Sequence, residues 1–187
     1  ASISGVICVV LVAKGNILNY FFGVINVLLY GYISFKASLY GEVLLNIGYY
    51  FPMQFIGFFL WFNRGRLENS VTIKTRFLSL KSRVLIALVA ISLIAVGTVI
   101  LDYLGDHQPL KDSVTTILSI IAMYLMVKRY LEQWYLWIIV NLVSVVMWSY
   151  SLLTGTPHSI MMVLMWLFYL LNSINGLIVW RRLSRGN

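Results

Sequence analysis

Val84 to Leu101 reads VLIALVAISLIAVGTVIL, with Arg83 before it and Asp102 after it. A helix needs about 20 apolar residues to cross the hydrocarbon core of a bilayer, and this run fits that length without a charge inside it. It has company. Between Ile17 and Trp180 lie five long apolar stretches whose interiors hold no Asp, Glu, Lys or Arg, and two shorter ones cover residues 2–13 and 113–127. The pattern is that of a polytopic, all-α integral membrane protein, in which helices satisfy the backbone where water is absent. Composition agrees: 60% hydrophobic residues, 11% charged residues and a mean hydropathy of +0.87 leave too little polar surface to coat a soluble domain.

Seven helices are drawn from the charge-free windows, at residues 2–14, 17–36, 42–63, 83–103, 112–128, 132–153 and 157–181. The first is short for a span, and because Ala1 is not a methionine, part of that helix or something before it is expected to precede the sequence. It does not resemble a signal peptide, since Lys14 follows the apolar run instead of preceding it. Thr156 and Pro157 suit an N-cap and first turn for the seventh helix. Pro52 falls inside the third, where it removes a backbone hydrogen bond and favours a kink. Cys8, the single cysteine, is expected to be a small buried residue in its apolar run.

Charge orients the spans. Lys14, Arg64, Arg66, Lys74, Arg76, Lys81, Arg83, Lys128, Arg129, Arg181, Arg182 and Arg185 fall on one side, 12 of the 14 basic residues. Lys36 and Lys111 fall on the other, with Glu42, Asp102, Asp106 and Asp112. The positive-inside rule then puts the amino terminus outside and the carboxyl terminus in the cytoplasm. Basic loops beside spans account for the net charge of +8, so no nucleic-acid partner is called for. The loop from Arg64 to Arg83 is left open between lipid head groups, a kinase and no partner, with anionic lipid the default.

The two ends of the chain resemble each other. An offset of 115 residues sets Lys14 on Arg129, Asn19 on Trp134, Phe22 on Trp137 and Asn26 on Asn141. With four more residues in the later loop, Gly57-x-x-x-Trp61 falls on Gly176-x-x-x-Trp180, and Pro52 falls on Leu171. Four crossings separate the repeat starts, so the repeats are read as parallel. The units are residues 1–64, a first three-helix repeat; 65–111, a basic loop plus linking helix; and 112–187, a second repeat with its tail. Transporters are often built this way, with the substrate between repeats.

Polar residues inside spans face partners or cavities. In the sixth helix Trp134, Trp137, Asn141, Ser144 and Trp148 recur at steps of 3 and 4 and share one face. The second offers Asn19, Phe22, Asn26 and Tyr30, the third Asn46, Tyr50 and Gln54, and the seventh Tyr169, Asn172 and Asn175. Two readings stand: a ligand-lining wall, or interhelical amide bonds with interfacial tryptophan belts, the latter an equal alternative for Trp61, Trp180 and Trp134. Aromatic walls with amides and no buried charge suit a flat polar ring, neutral or cationic, whereas a phosphorylated substrate would lack a deep Lys or Arg. No midspan carboxylate serves a proton relay, so facilitated diffusion is the simpler mechanism. No zinc motif, acid pair or Ser/His set supports an intramembrane enzyme, and no cofactor or metal is expected. His107 and His158 lie in outer loops.

Asn19-Tyr-Phe-Phe-Gly-x-x-Asn26 and Trp134-x-x-Trp137-x-x-x-Asn141 resemble the PnuC family of vitamin transporters, and the resemblance runs from Lys14 to Arg182. It implies a SWEET-like three-plus-one-plus-three arrangement in a bacterial inner membrane, often a homotrimer. The implied activity is passage of nicotinamide riboside down its gradient, trapped by cytoplasmic phosphorylation. Trp134 and Trp137 would carry the motif. Asn141, Asn46, Gln54 and Asn175 are candidates for hydrogen bonds to ribose and carboxamide, with Tyr50, Asn172 and Asn26 beside them. Thiamine or riboflavin as substrate, a channel, and a non-transporting membrane protein remain the alternatives.

Overall fold

A computed structural model of the chain describes residues 2–36, 40–68, 74–105, 108–154 and 159–185. Among them are seven helices. α1 is Ser2–Ala13 and α2 is Asn19–Lys36. α3 runs without a break through an α-helical turn Tyr40–Val43, a π-helical stretch Leu44–Tyr50 and an α-helical segment Phe51–Glu68. α4 is Leu80–Tyr103, α5 Pro109–Val127, α6 Gln133–Leu153 and α7 Ser159–Arg185. α4, α5, α6 and the Ile160–Ser184 part of α7 are each long and apolar enough to cross a membrane. α1 is short, and α2 is diluted by Asn19, Asn26 and three tyrosines. The chain is thus a multi-pass membrane protein. The N-cap expected at Thr156 and Pro157, and both histidines, lie outside the described residues.

The helices pack in a closed order: α1 on α2, α2 on α3, α3 on α5, α5 on α6, α6 on α7, and α7 back on α1. α4 stands outside this ring against α5. It buries little beyond Ala90, while Leu85, Leu88, Ile91, Val96 and Val99 are exposed. So much exposed apolar surface suits lipid, where side chains need no burial to be stable. Ser79 caps its start, accepting from the Ser82 amide at 3.2 Å.

The turns after α1 and α5 make the same backbone bonds. Lys14 N donates to Val10 O and Gly15 N to Val12 O; Lys128 N donates to Tyr124 O and Arg129 N to Met126 O. Asn16 to Leu11 and Tyr130 to Leu125 follow, then Asn19 to Asn16 and Gln133 to Tyr130. The offset between these turns is 114 residues, with Val10 matching Tyr124, and not the 115 read from the sequence. The left-handed residue sets it: Gly15 has φ 64° and Arg129 φ 65°. Arg129 pays roughly 1–2 kcal/mol for a conformation that suits glycine. In this register Tyr20, not Asn19, is the counterpart of Trp134.

Residues 74–79 form a strap under the same end of the ring, the basic end. Arg76 N donates to Arg129 O (2.8 Å) and Leu131 N to Arg76 O (2.9 Å), while the Arg76 guanidinium lies over the Tyr130 ring. Thr75 Oγ1 donates to Trp180 O, and the buried Glu132 accepts from Leu78 N (3.1 Å) and pairs with Arg83 (2.8 Å). Arg76 and Arg83, whose default partner is lipid head groups, instead meet protein. The strap supplies them with a ring face and a carboxylate that hydropathy does not reveal.

Candidate functional site

The local geometry of the site begins at Pro52. Without an N–H, its ring would clash with the carbonyl four residues earlier in an α-helix. The turns before it widen instead, and Phe51 N donates to Asn46 O, five residues back. The disturbance expected at Pro52 thus takes the form of a π-helical stretch, a feature common at functional sites. Asn46 and Gln54, on either side of it, are both buried. Replacing Pro52 by alanine is expected to let α3 wind as α-helix and so to change the angle between Asn46 and Gln54 about the helix axis. A structure of the variant that keeps the π-helical stretch would sink this reading.

At the basic end four aromatic rings close the ring of helices. Tyr20 meets Trp61 edge-on at 5.0 Å and Trp134 meets Trp180 edge-on at 5.7 Å, with Trp61 and Trp180 6.1 Å apart. Gly57 and Gly176 leave room for this: a Cβ on either would collide with the ring of Tyr20 or Trp134. The indole of Trp61 donates to Val127 O on α5 (3.2 Å), and that of Trp180 donates to Val12 O on α1 (2.9 Å). α3 thus grips the end of α5, and α7 the end of α1. Trp61 and Trp180 are almost fully buried, so the interfacial belt weighed for them is not what they form. Their N–H groups need a partner, and helix-end carbonyls provide one.

Above this plug the interior is lined by amides and hydroxyls. Asn141 Nδ2 donates to Ser173 Oγ on α7 (2.8 Å), and Asn172 Nδ2 donates to Val9 O on α1 (3.0 Å). Asn46 Nδ2 donates to Glu42 O (2.8 Å), Tyr50 bonds Ser119, and the Tyr49 hydroxyl donates to Ile120 O (2.7 Å). The Gln54 amide lies against the Gly23 backbone, and the Asn26 side chain lies against Gly5. Trp137 is partly buried and packs on the core cluster that contains the plug rings and on the Ala90, Leu118 and Val140 cluster.

The predicted residues divide accordingly. Asn141, Asn46 and Gln54 are buried, and Trp137, Tyr50, Asn172 and Asn26 are partly buried. Trp134, 2% exposed, is wedged in the plug. Asn175 is exposed with Leu171 and Ile178 on the outer side of α7, because steps of three from Tyr169 drift about 60° per step and carry the third member off the face. Tyr30 is 45% exposed although its spacing keeps it on the face of Asn19 and Asn26. Sequence reasoning missed Glu42, which sits beside Asn46, Tyr30 and Asp112 at the end away from the plug. It also missed Gln133 and the role of Tyr20. The edge of the charge-free window hid Glu42, and the one-residue register hid Tyr20.

Not every buried polar atom is served. Among the described residues Asn19 Oδ1, Tyr20 Oη, Gln54 Oε1, Trp134 Nε1 and both polar atoms of the Gln133 amide have no hydrogen-bond partner. Each such group costs about 1–3 kcal/mol where water is excluded. Among the described residues no set of three metal-ligating side chains occurs.

A family described as "Nicotinamide mononucleotide transporter" matches residues 1–182. The nicotinamide riboside transporter PnuC of Neisseria mucosa is 40% identical over 188 residues, covering 99% of this chain and 72% of that protein. The PnuC protein of Haemophilus influenzae is 36% identical, covering 99% of this chain and 79% of the relative. That of Escherichia coli is 34% identical over 79% of this chain and 72% of the relative. A crystal structure of the vitamin B3 transporter PnuC matches with a TM-score of 0.80 and 37% identity, covering 99% of this chain and 80% of that one.

Proposed function

The chain belongs to the PnuC family of membrane transporters, and from that premise we propose that it carries nicotinamide riboside by facilitated diffusion, with cytoplasmic phosphorylation trapping the product. The observation that carries the reading is Trp137, partly buried beside the Asn141–Ser173 pair on the inner wall. The riboside joins a cationic pyridinium to a carboxamide and ribose hydroxyls. An indole face attracts such a cation by up to about 2 kcal/mol where water is excluded, and the amides can bond the rest. Trp137, Asn141, Asn46, Gln54, Tyr50, Asn172 and Asn26 are the proposed substrate contacts. Asn175 is placed with them only by its helix.

The family description names the mononucleotide, while the relatives are riboside transporters. A phosphate dianion would need a basic side chain at the depth of Trp137, and the spans carry Lys and Arg only toward their ends. That favours the riboside. The matching turns and exchanged Trp61 and Trp180 bonds support two parallel three-helix units joined by α4. Basic residues at the plug end support placing it in the cytoplasm of a bacterial inner membrane, with the amino terminus outside. A homotrimer without catalytic activity follows from the family resemblance.

Isothermal titration of the purified protein with nicotinamide riboside, nicotinamide mononucleotide, thiamine and riboflavin tests this. Saturable binding of the riboside alone is expected, weakened about tenfold in Asn141→Ala by loss of one hydrogen bond. Binding of thiamine or riboflavin instead would keep the transporter and replace its substrate. No binding of any by a folded protein would overturn the assignment.

A further inference from the structure

Gln133 is 0% exposed, and neither its amide oxygen nor its amide nitrogen has a partner. Asn19 is also 0% exposed; its nitrogen donates to Asn16 O at 2.7 Å, but its oxygen is orphaned. The two occupy the same place in the two halves. Each opens its helix, and each backbone N–H donates to the carbonyl three residues before it, Asn16 or Tyr130. Nearby, Tyr20 Oη and Trp134 Nε1 are orphaned too. Farther from the plug, Asn141, Asn172 and Asn46 each have a partner, and Gln54 lacks one only at Oε1, so Gln133 is the amide left unserved at both atoms.

Native folds seldom bury a whole primary amide unserved, and a leucine would fill the space of Gln133 without the desolvation penalty. An unserved amide at the closed end of a carrier gains its partners when that end opens. We propose that Asn19 and Gln133 form a polar collar, a second subsite that takes the hydroxyl and amide groups of the substrate as the Tyr20, Trp61, Trp134 and Trp180 plug parts. The collar rests on the transport reading given above. It differs from the Trp137 and Asn141 wall in acting on release and not on capture. The orphaned atoms also bias the plug toward opening, because water or substrate restores their bonds.

The test compares Gln133→Leu and Asn19→Leu with the unmodified chain in proteoliposomes. Maximal uptake of nicotinamide riboside is expected to fall about tenfold in each, with equilibrium affinity within twofold of the original and thermal stability equal or higher. In a Cys8→Ala background, Gln133→Cys should react with a thiol reagent only when the riboside is present and transport is running. Undiminished uptake in both leucine variants, or reduced uptake with lowered thermal stability, would overturn the collar, the latter marking a packing role. So would a Gln133→Cys thiol that stays unreactive during transport. An unmodified protein that neither binds nor moves the riboside would overturn the transport reading, and the collar with it.

Discussion

Trp180→Ala is expected to lower stability by about 4 kcal/mol, the largest single-residue effect in the molecule. Truncating a fully buried tryptophan costs about 3–5 kcal/mol, because the surrounding helices close the cavity only in part. Trp180 is 0% exposed and touches both Trp61 and Trp134. Its indole also serves Val12 O, so the substitution leaves a helix-end carbonyl without its 2.9 Å partner. Trp61→Ala should act in the same way through Val127 O. Since the two rings are 6.1 Å apart, the double variant should lose less than the sum of the two singles. Unfolding titrations in detergent give the comparison. A loss below about 1 kcal/mol for Trp180→Ala would mean that the plug does not hold the helices around it together.

Trp137→Ala is expected to weaken nicotinamide riboside binding about 30-fold, with a much smaller effect on stability. The figure is the roughly 2 kcal/mol of a cation over an indole in a dry site, at 1.4 kcal/mol per tenfold. Trp134→Ala is expected to give the opposite balance, because Trp134 is wedged against Gly176 and Trp180. Its substitution should cost stability first and affinity second. Titration and thermal unfolding on both variants separate the roles. Equal affinity losses with equal stability losses would mean that the motif tryptophans act as one structural unit. Unchanged affinity in Trp137→Ala would move the substrate away from α6.

The helix boundaries were legible because charges and apolar runs act locally. Arg83 and Asp102 bracket α4 in the sequence, and the helix runs Leu80–Tyr103. The inward face of α6 was legible for the same reason, since spacing alone puts Trp134, Trp137, Asn141 and Ser144 together. The third helix was read only in part. Pro52 announced a disturbance, but neighbouring turns decided that it would be a π-helical stretch and not a sharp bend. The repeat register was misread by one residue, because matching asparagines drew the alignment while a left-handed turn at Gly15 and Arg129 governs the backbone. Asn175 was misplaced by treating a step of three as if it held one face.

By itself the sequence determined that this chain lives in a bilayer, where its helices begin and end, and to which family it belongs. Those properties depend on hydropathy, charge and motif within single helices, and a bilayer enforces them regardless of neighbours. The tertiary structure alone decided that Trp61 bonds the end of α5 and Trp180 the end of α1, over sequence separations of 66 and 168 residues. It also decided that Glu132 anchors a strap and that Gln133 is buried without a partner. These facts turn on which helix faces meet, and partners distant along the chain leave no local pattern to read.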